Sequence, residues 1–383
     1  IDHFRNQLTT QSSAEDKRAI EELIHGIEKK QLPHLLCTTN MLLHGIDVPS
    51  QIEHRNTLGI GWNEWSANNK VDCIITNPPF GGYEDDGVGS DYPADLRTRE
   101  TADMFMALIV KKLLKENGRA AVVLPDGFLF GDGIKGTLKK LLLRDCKLHT
   151  IIRLPKGVFA PYTTIKTNLL FFTKGATVDD GTEHFHTNTI WFYEHPYPAG
   201  YKSYSKTKPI RLEEFKPEQE WWGDEANDFA DRVENELAWK MNFKTKREQA
   251  EAAAKPHWQR AEDLNNQAAA LEGEASDLRK SLVGTTDAAN RLKIDAQIAE
   301  LRAQAEPLRL QARDAQAAGD RIYWPIFNLD IKNPNAPEEE THDPDVLLEK
   351  YKKLLGEIEE TENQLKSELA AALAHHFSPE AEA

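Results

Sequence analysis

Cysteine and metal-binding patterns are scarce in this sequence. The three cysteines, Cys37, Cys73 and Cys146, form no C-x-x-C pair, and the 13 histidines include no H-E-x-x-H pattern. Such spacing indicates neither a disulfide framework nor a zinc site, so we expect no metal. No apolar stretch is long enough to cross a bilayer, and the first residues lack a secretory signal pattern. We therefore expect no membrane segment and a reducing, cytoplasmic setting.

Basic residues are outnumbered by acidic ones. The 383 residues hold 47 Lys and Arg against 62 Asp and Glu, a net charge of −15, which argues against binding a polyanion. Most of the acidity lies late in the chain: residues 176–383 hold 25 basic and 41 acidic side chains, whereas residues 104–175 hold 13 and 4. This local positive excess fits either a polyanion-binding surface or a solvated helix face, because a count does not show where side chains point.

Residues 20–174 alternate short apolar runs with longer helical patterns, which is typical of βαβ units in a mainly parallel α/β sheet. Strands are predicted near 23–27, 52–56, 71–76, 119–124, 148–154 and 167–173, and helices near 31–44, 101–116 and 134–145. A loop that contains Pro161 and no helix joins the last two strands, so these strands can pair antiparallel.

After residue 175 the composition changes. Residues 176–246 predict an extra strand and an irregular segment, and residues 247–320 predict two helices with one apolar seam each. The seams are Leu264, Ala268, Leu271, Ala275, Leu278 and Leu282, and Ile294, Ile298, Leu301, Ala305, Leu308, Ala312 and Ala315. Between them, VGTTD at 283–287 predicts a short turn, so we expect an antiparallel hairpin.

Residues 321–383 predict a connecting segment and a terminal amphipathic helix at about 344–373. One side of this helix would carry Leu347, Tyr351, Leu354, Ile358, Leu365 and Leu369. Such a side fits either packing on its own domain or docking of a partner.

The stretch VDCIITNPPFGG, residues 71–82, combines a buried strand with a rigid loop. The apolar run ends at two prolines, which neither a helix nor a central strand tolerates. Asn77, Pro78, Pro79 and Phe80 therefore lie at the carboxyl end of a strand, where α/β sheets bind ligands. The plainer alternative is a rigid turn with a core phenylalanine.

This tetrapeptide suits chemistry on an exocyclic amine of a base. The amine of adenine or cytosine is a poor nucleophile, because its lone pair is delocalised into the ring. The side-chain carbonyl of the asparagine and a proline backbone carbonyl, accepting hydrogen bonds from its two N–H groups, would favour a pyramidal nitrogen that can attack. The two prolines stiffen the loop, Phe80 offers a flat face to a base rotated out of a duplex, and Gly81 and Gly82 leave room for it.

At these residues the sequence resembles the modification subunits of type I restriction-modification systems. Besides TNPPFGG, the similar stretches are NMLLHGI, GRAAVVLPDGFLF, IIRLPKGVFAPYTTIKTNLLFFTKG and LDIKNPN. The resemblance implies an N6-adenine DNA methyltransferase that uses S-adenosylmethionine, acts on double-stranded DNA and assembles with a specificity subunit and a restriction subunit. It also implies a Rossmann-like sheet with its last strand antiparallel.

The same resemblance assigns roles to individual residues. Asn77 and Pro78 would hold the N6 amine of adenine, with Pro79 stiffening the loop and Phe80 stacking on the ring. Glu28 matches the acidic position that binds the ribose hydroxyls of the cofactor, and Asn56 matches the residue near the cofactor's adenine.

One family feature has no counterpart in this sequence. The glycine-rich loop that holds the methionine part of the cofactor should precede Glu28 by about 20 residues, yet residues 1–22 contain no glycine and the chain opens on isoleucine. We therefore expect an incomplete sheet, a residues 1–175 core without its first strand, and weak or absent cofactor binding by this chain alone. Two alternatives stay open: a non-catalytic assembly module, and the same chemistry on protein glutamine or RNA guanine.

Overall fold

A computed structural model describes residues 1–46, 49–282, 287–336 and 344–376. They belong to two units, Ile1–Pro334 and Asn335–Ala383. The strands of the first unit are β1 (Gly26–Glu28), β2 (Ile52–His54), β3 (Val71–Thr76), β4 (Leu114–Pro125), β5 (Cys146–Arg153), β6 (Thr167–Lys174), β7 (Thr189–Glu194) and β8 (Ala238–Asn242). Its helices are α1 (Asp2–Arg5), α2 (Ala14–Glu22), α3 (Gln31–Leu43), α4 (Thr101–Leu108), α5 (Asp126–Phe130), α6 (Ile134–Asp145), α7 (Lys216–Trp221), α8 (Phe243–Ser281) and α9 (Ala288–Tyr323).

Six strands form the main sheet, in the order β3-β4-β6-β5-β7-β8. The predicted antiparallel pairing of the fifth and sixth strands is confirmed, since β6 lies antiparallel between β4 and β5. Because β3 is parallel to β4, and β4 and β5 are both antiparallel to β6, strands β3, β4 and β5 all end at one edge of the sheet. That edge carries the loops that follow each of these strands.

Strands β1 and β2 form a separate parallel pair, and β3 is an edge strand of the six-stranded sheet. The side chain of Ile75 on β3 is 83% exposed, and Cys73 is exposed as well. The strand predicted to be buried is therefore largely open to solvent, because β3 lies at the edge of the sheet with an apolar side chain exposed.

Two predicted boundaries differ from the structure by five residues or more. The helix expected at 101–116 ends as α4 at Leu108, continues as one π turn over Ile109–Leu113, and is followed at once by β4. The strand expected at 119–124 begins five residues earlier, at Leu114. A bulge explains the difference: Val71 pairs with Leu114 but Cys73 pairs with Arg119, and the intervening Asn117 has a φ of +60°.

The sheet is covered by one large hydrophobic core on the α4 and α6 face and a smaller one on the other. The large core combines buried residues of α4, α6 and the strands with the ends of α8 and α9, including Met104, Leu142, Phe172, Phe243 and Phe327. The start of α8 and the end of α9 therefore pack on the same core as the loops at the strand ends.

The long helices α8 and α9 pack along each other, as the seams predicted. After Phe243 at its start, the buried residues of α8 are alanines at seven-residue spacing, namely Ala254, Ala261, Ala268 and Ala275. The seam leucines are only half-buried. Arg309 bonds Glu272 (2.7 Å) and Trp258 bonds Asp320 (3.0 Å), so the two helices run antiparallel. The turn predicted at VGTTD lies, except for its last residue, outside the described residues.

The second unit contains α10 (Pro344–His376), close to the helix expected at 344–373. Six apolar side chains on it are each at least 48% exposed: Leu347, Tyr351, Leu354, Ile358, Leu365 and Leu369. In the part of the chain that the structure describes, no helix is long and apolar enough to cross a membrane.

His149 on β5 makes the free energy of unfolding depend on pH. Its ring stacks on Phe229 (4.6 Å between centroids) and contacts Thr150 Oγ1 (2.7 Å). Burial, reinforced by the charges of Arg232 and Lys147, lowers the pKa of His149 to about 3. The unfolded chain then binds a proton that the folded chain does not between pH 3 and 6.5. The contribution of His149 to the unfolding free energy is therefore complete above pH 6.5 and is lost as the pH falls towards 3.

We predict that lowering the pH from 7.5 to 5 costs the protein about 2 kcal/mol of unfolding free energy through His149. The change His149→Gln should remove this part of the pH dependence, whereas His25→Gln, at an exposed position, should not. Urea unfolding of the three proteins at both pH values measures the difference. An equal loss in the wild type and in His149→Gln would contradict the assignment.

Candidate active site

The tetrapeptide Asn77 to Phe80 directly follows β3, as predicted. Pro78 is buried, Phe80 is half-buried, and Asn77 is exposed. The proline ring thus anchors the loop in the protein while the asparagine amide stays accessible. This is the arrangement that a rigid, preformed hydrogen-bond acceptor requires.

Phe80 contacts a second aromatic ring that sequence reasoning missed. The rings of Phe80 and Phe159 meet edge to face, with centroids 5.4 Å apart. Phe159 lies in the connection between β5 and β6, which begins and ends at the same sheet edge as the loop after β3. The sequence held one indication that Phe159 could belong to the site, namely its position in the loop after a predicted strand.

The two glycines after Phe80 have different surroundings. Gly81 has a φ of +66°, and a Cβ built on it would meet no described atom within 4 Å. A Cβ on Gly82 would instead lie 2.8 Å from Thr101 Oγ1, which donates a hydrogen bond to the Gly82 carbonyl. Gly81 therefore borders open space, while Gly82 allows the loop to pack against the start of α4.

An ion cluster fixes the start of α4. Lys135 Nζ lies 2.6 Å from Glu100 and 2.7 Å from Asp103. Burial raises the pKa of Asp103, and its hydrogen bond with Lys135 opposes that rise. Because Thr101 lies between the two acids, the cluster holds the residue that supports Gly82.

A buried carboxylate, Glu84, joins the loops that follow β1, β2 and β3. Lys29 Nζ donates to Glu84 Oε2 at 3.0 Å, and Asn56 Nδ2 donates to the same oxygen at 3.0 Å. Glu84 is only 6% exposed. Sequence reasoning missed this residue, because residues 29, 56 and 84 come together only in the folded chain.

The predicted cofactor residues lie at the carboxyl ends of β1 and β2. Glu28 is half-buried, and its Oε1 accepts a hydrogen bond from the Lys30 amide (2.7 Å). Asn56 is held at both ends of its amide, because its Oδ1 also accepts from the Leu58 amide (3.2 Å). The fold thus gives two groups of predicted residues: Asn77 to Phe80 beside Phe159, and Asn56 beside Glu84. Among the described residues, no cluster of His, Cys, Asp and Glu is arranged to hold a metal ion.

We predict that Glu84→Gln lowers the unfolding free energy by about 1–2 kcal/mol, because a buried amide replaces an acceptor that serves both Lys29 and Asn56. Asp86→Asn is the matched control on the same loop: Asp86 pairs with Arg99 but is 90% exposed, so its loss should change little. Urea unfolding compares the two variants. Equal stabilities would show that Glu84 does not link the loops.

The chain is similar to known DNA methylases. The profile of the N-6 DNA Methylase family matches residues 5–262. The methylase subunit of the type I restriction enzyme EcoEI from Escherichia coli is 45% identical over 374 residues, which cover 98% of this chain and 58% of that protein.

Solved structures give the same family. A modification subunit assigned to a type I restriction enzyme of Vibrio vulnificus YJ016 is 41% identical with a TM-score of 0.55, over 64% of this chain and 48% of that chain. A chain from a study of complex assembly and conformational transition of the type I R-M system is 25% identical with a TM-score of 0.59, over 96% and 59% of the two chains. The present chain therefore spans less than two thirds of these relatives. Since the family profile covers more than half of its residues and N-P-P-F lies at the expected strand end, the chain belongs to the N-6 DNA methylase family.

Proposed function

We propose that this chain carries the target-base side of an adenine-N6 DNA methyltransferase, a modification subunit of a type I restriction-modification system. The observation that carries the proposal is the loop Asn77 to Phe80. It presents an exposed amide at a parallel strand end, beside a pair of aromatic rings. The family match and the names of the relatives support the reaction and the substrate class.

Each residue of this loop has its own role towards the adenine amine. The Oδ1 of Asn77 and the carbonyl oxygen of Pro78 accept the two N–H groups of N6, which directs the nitrogen lone pair away from the ring. Pro79 keeps these acceptors rigid, so little reorganisation is needed when charge develops on nitrogen. The N6 proton passes to solvent after the N–C bond has formed, so no strong base is needed in the loop.

Phe80, supported edge to face by Phe159, forms the wall against which the base rests. A base rotated out of the duplex loses its stacking neighbours, and an aromatic face replaces part of that energy. The open space beside Gly81 leaves room for the rotated nucleotide.

S-adenosylmethionine, when bound, supplies an electrophilic methyl group. The residues at the ends of β1 and β2 fit such a ligand: Glu28 is half-buried with Oε1 alone bonded to Lys30, which leaves Oε2 for ribose hydroxyls. Asn56, fixed by Glu84, would lie near the cofactor's adenine.

We further propose a cytoplasmic complex with a specificity subunit and a restriction subunit on double-stranded DNA. The relatives are subunits of type I enzymes, and one similar chain comes from a study of complex assembly. The long α8–α9 hairpin and the exposed apolar side of α10 suit docking to helical partners.

The test is a methyl-transfer assay with the full-length product of the gene, co-purified with its specificity subunit and given methyl-labelled S-adenosylmethionine. Duplex DNA, RNA and a protein with exposed glutamines are offered separately. We expect label in duplex DNA alone. Label in RNA or protein would assign the same chemistry to another substrate, and no label in any of the three would favour an assembly module.

A further inference from the structure

Most of the basic side chains of residues 104–175 have partners within the folded chain. Eight of its 13 basic side chains form ion pairs: Lys111, Lys115, Lys135, Lys140, Arg144, Lys147, Arg153 and Lys174. Buried Lys139 donates to the carbonyls of Leu129 and Gly131, and Lys112 lies over the ring of Trp62. Within the described residues, the side chains of Arg119, Lys156 and Lys166 have no such partner.

Two of these three cations flank one loop at the active-site edge. The connection 154–166 joins β5 to β6 and carries Lys156 near its start and Lys166 at its end. Arg119 lies instead in the middle of β4, six residues before the end of that strand. The fold has therefore left uncompensated charge next to the candidate site.

The backbone of this loop is fixed at both ends. The carbonyl of Lys156 accepts a hydrogen bond from the Tyr197 hydroxyl (2.9 Å), and the carbonyl of Lys166 accepts one from the Asp126 amide (3.0 Å). Gly157 has a φ of +86° and packs so closely on Tyr204 that a Cβ would lie 2.8 Å from its carbonyl oxygen. The backbone at both lysines is therefore held in place.

The same loop carries two aromatic side chains in different environments. The ring of Phe159 is half-buried against Phe80, whereas Tyr162 is 92% exposed. A hydrogen bond from the Tyr162 amide to the Phe159 carbonyl (2.9 Å) closes the turn between them. Ile165, half exposed, extends the apolar surface beside Tyr162.

We propose that loop 154–166 is the DNA-facing element of the site. Lys156 and Lys166 bind phosphates of the strand that carries the target adenine, and Tyr162 enters the duplex where that adenine has rotated out. A stacked ring offsets part of the unstacking energy, and paired cations beside it hold the backbone. The inference rests on the proposed function, and it adds the residues that open the duplex.

The test uses the full-length product with its specificity subunit, on a duplex whose site is first found by mapping methylated adenines. Salt dependence of binding is measured for wild type, Lys156→Ala/Lys166→Ala and the control Arg119→Ala. Each phosphate contact contributes about 0.9 to the slope of log K against log salt. We expect the slope to fall by about 2 in the double variant alone, and an unchanged slope would overturn the phosphate contacts.

Tyr162 is tested with 2-aminopurine in place of the target adenine, whose fluorescence rises when the base leaves the stack. Tyr162→Ala should lose most of this rise while Tyr162→Phe retains it, because the ring and not the hydroxyl fills the gap. A full rise with Tyr162→Ala would overturn the role of Tyr162. If the wild-type protein methylates DNA and the variants bind and open the duplex as it does, this inference alone is refuted. If the wild-type protein does not methylate DNA, the proposed function is refuted.

Discussion

Replacing Asn77 by alanine is expected to reduce the methylation rate of the full-length product by about 10²–10³-fold, the range for losing one preorganised hydrogen-bonding group of a transition state. The amide supplies one of the two acceptors that direct the N6 lone pair. Alanine leaves the buried Pro78 anchor in place, and Asn77 is exposed. Unfolding free energy should therefore stay within experimental error while kcat falls.

Asn63→Ala is the matched control, since Asn63 is also exposed and lies on a different loop. Single-turnover methylation of mapped duplex DNA separates the chemical step from binding. If Asn77→Ala kept its rate within a few-fold of wild type, the strand-end loop would not hold the reacting amine.

Replacing Phe80 by alanine is expected to reduce kcat/KM for DNA by about 5–150-fold, because stacking of a base on an aromatic side chain contributes about 1–3 kcal/mol. Phe80→Tyr keeps the ring and should stay near wild type. Phe159→Ala should have a smaller effect, since Phe159 supports Phe80 edge to face.

A double-variant comparison tests this pairing. If Phe159 acts by holding Phe80, adding Phe159→Ala to Phe80→Ala should cost almost nothing more. Tyr83→Ala, on the same loop but 73% exposed, serves as the control and should leave kcat/KM unchanged. Fully additive losses from Phe80 and Phe159 would show two independent roles.

Local features of the sequence were enough to predict the position of the loop Asn77 to Phe80 after β3. The Pro-Pro pair ends β3 because proline lacks an amide donor, so the end of the strand could be read directly. The antiparallel last pair followed equally from a loop without a helix, and the α8–α9 hairpin followed from its repeated apolar spacing. Each of these features depends on neighbours in sequence.

Features that depend on distant residues could not be predicted. Glu84 gains its role only when the loops after three strands meet, and Phe159 only when its connection returns to the edge beside Phe80. The start of β4 was misplaced because the helical pattern was extended to residue 116, although the fold begins the strand at Leu114 and absorbs the extra residues as a bulge. Likewise, a charge count could not show which lysines of residues 104–175 find acidic partners.

The most direct test of the central claim is the amount of N6-methyl-2′-deoxyadenosine in DNA from cells that express the full-length product with its specificity subunit. Mass spectrometry of the nucleosides compares wild type with Asn77→Ala at equal protein levels. We predict the modified nucleoside with wild type and almost none with the variant. Equal amounts with both proteins, or none with either, would contradict the assignment of the Asn77 to Phe80 loop as the methylation site.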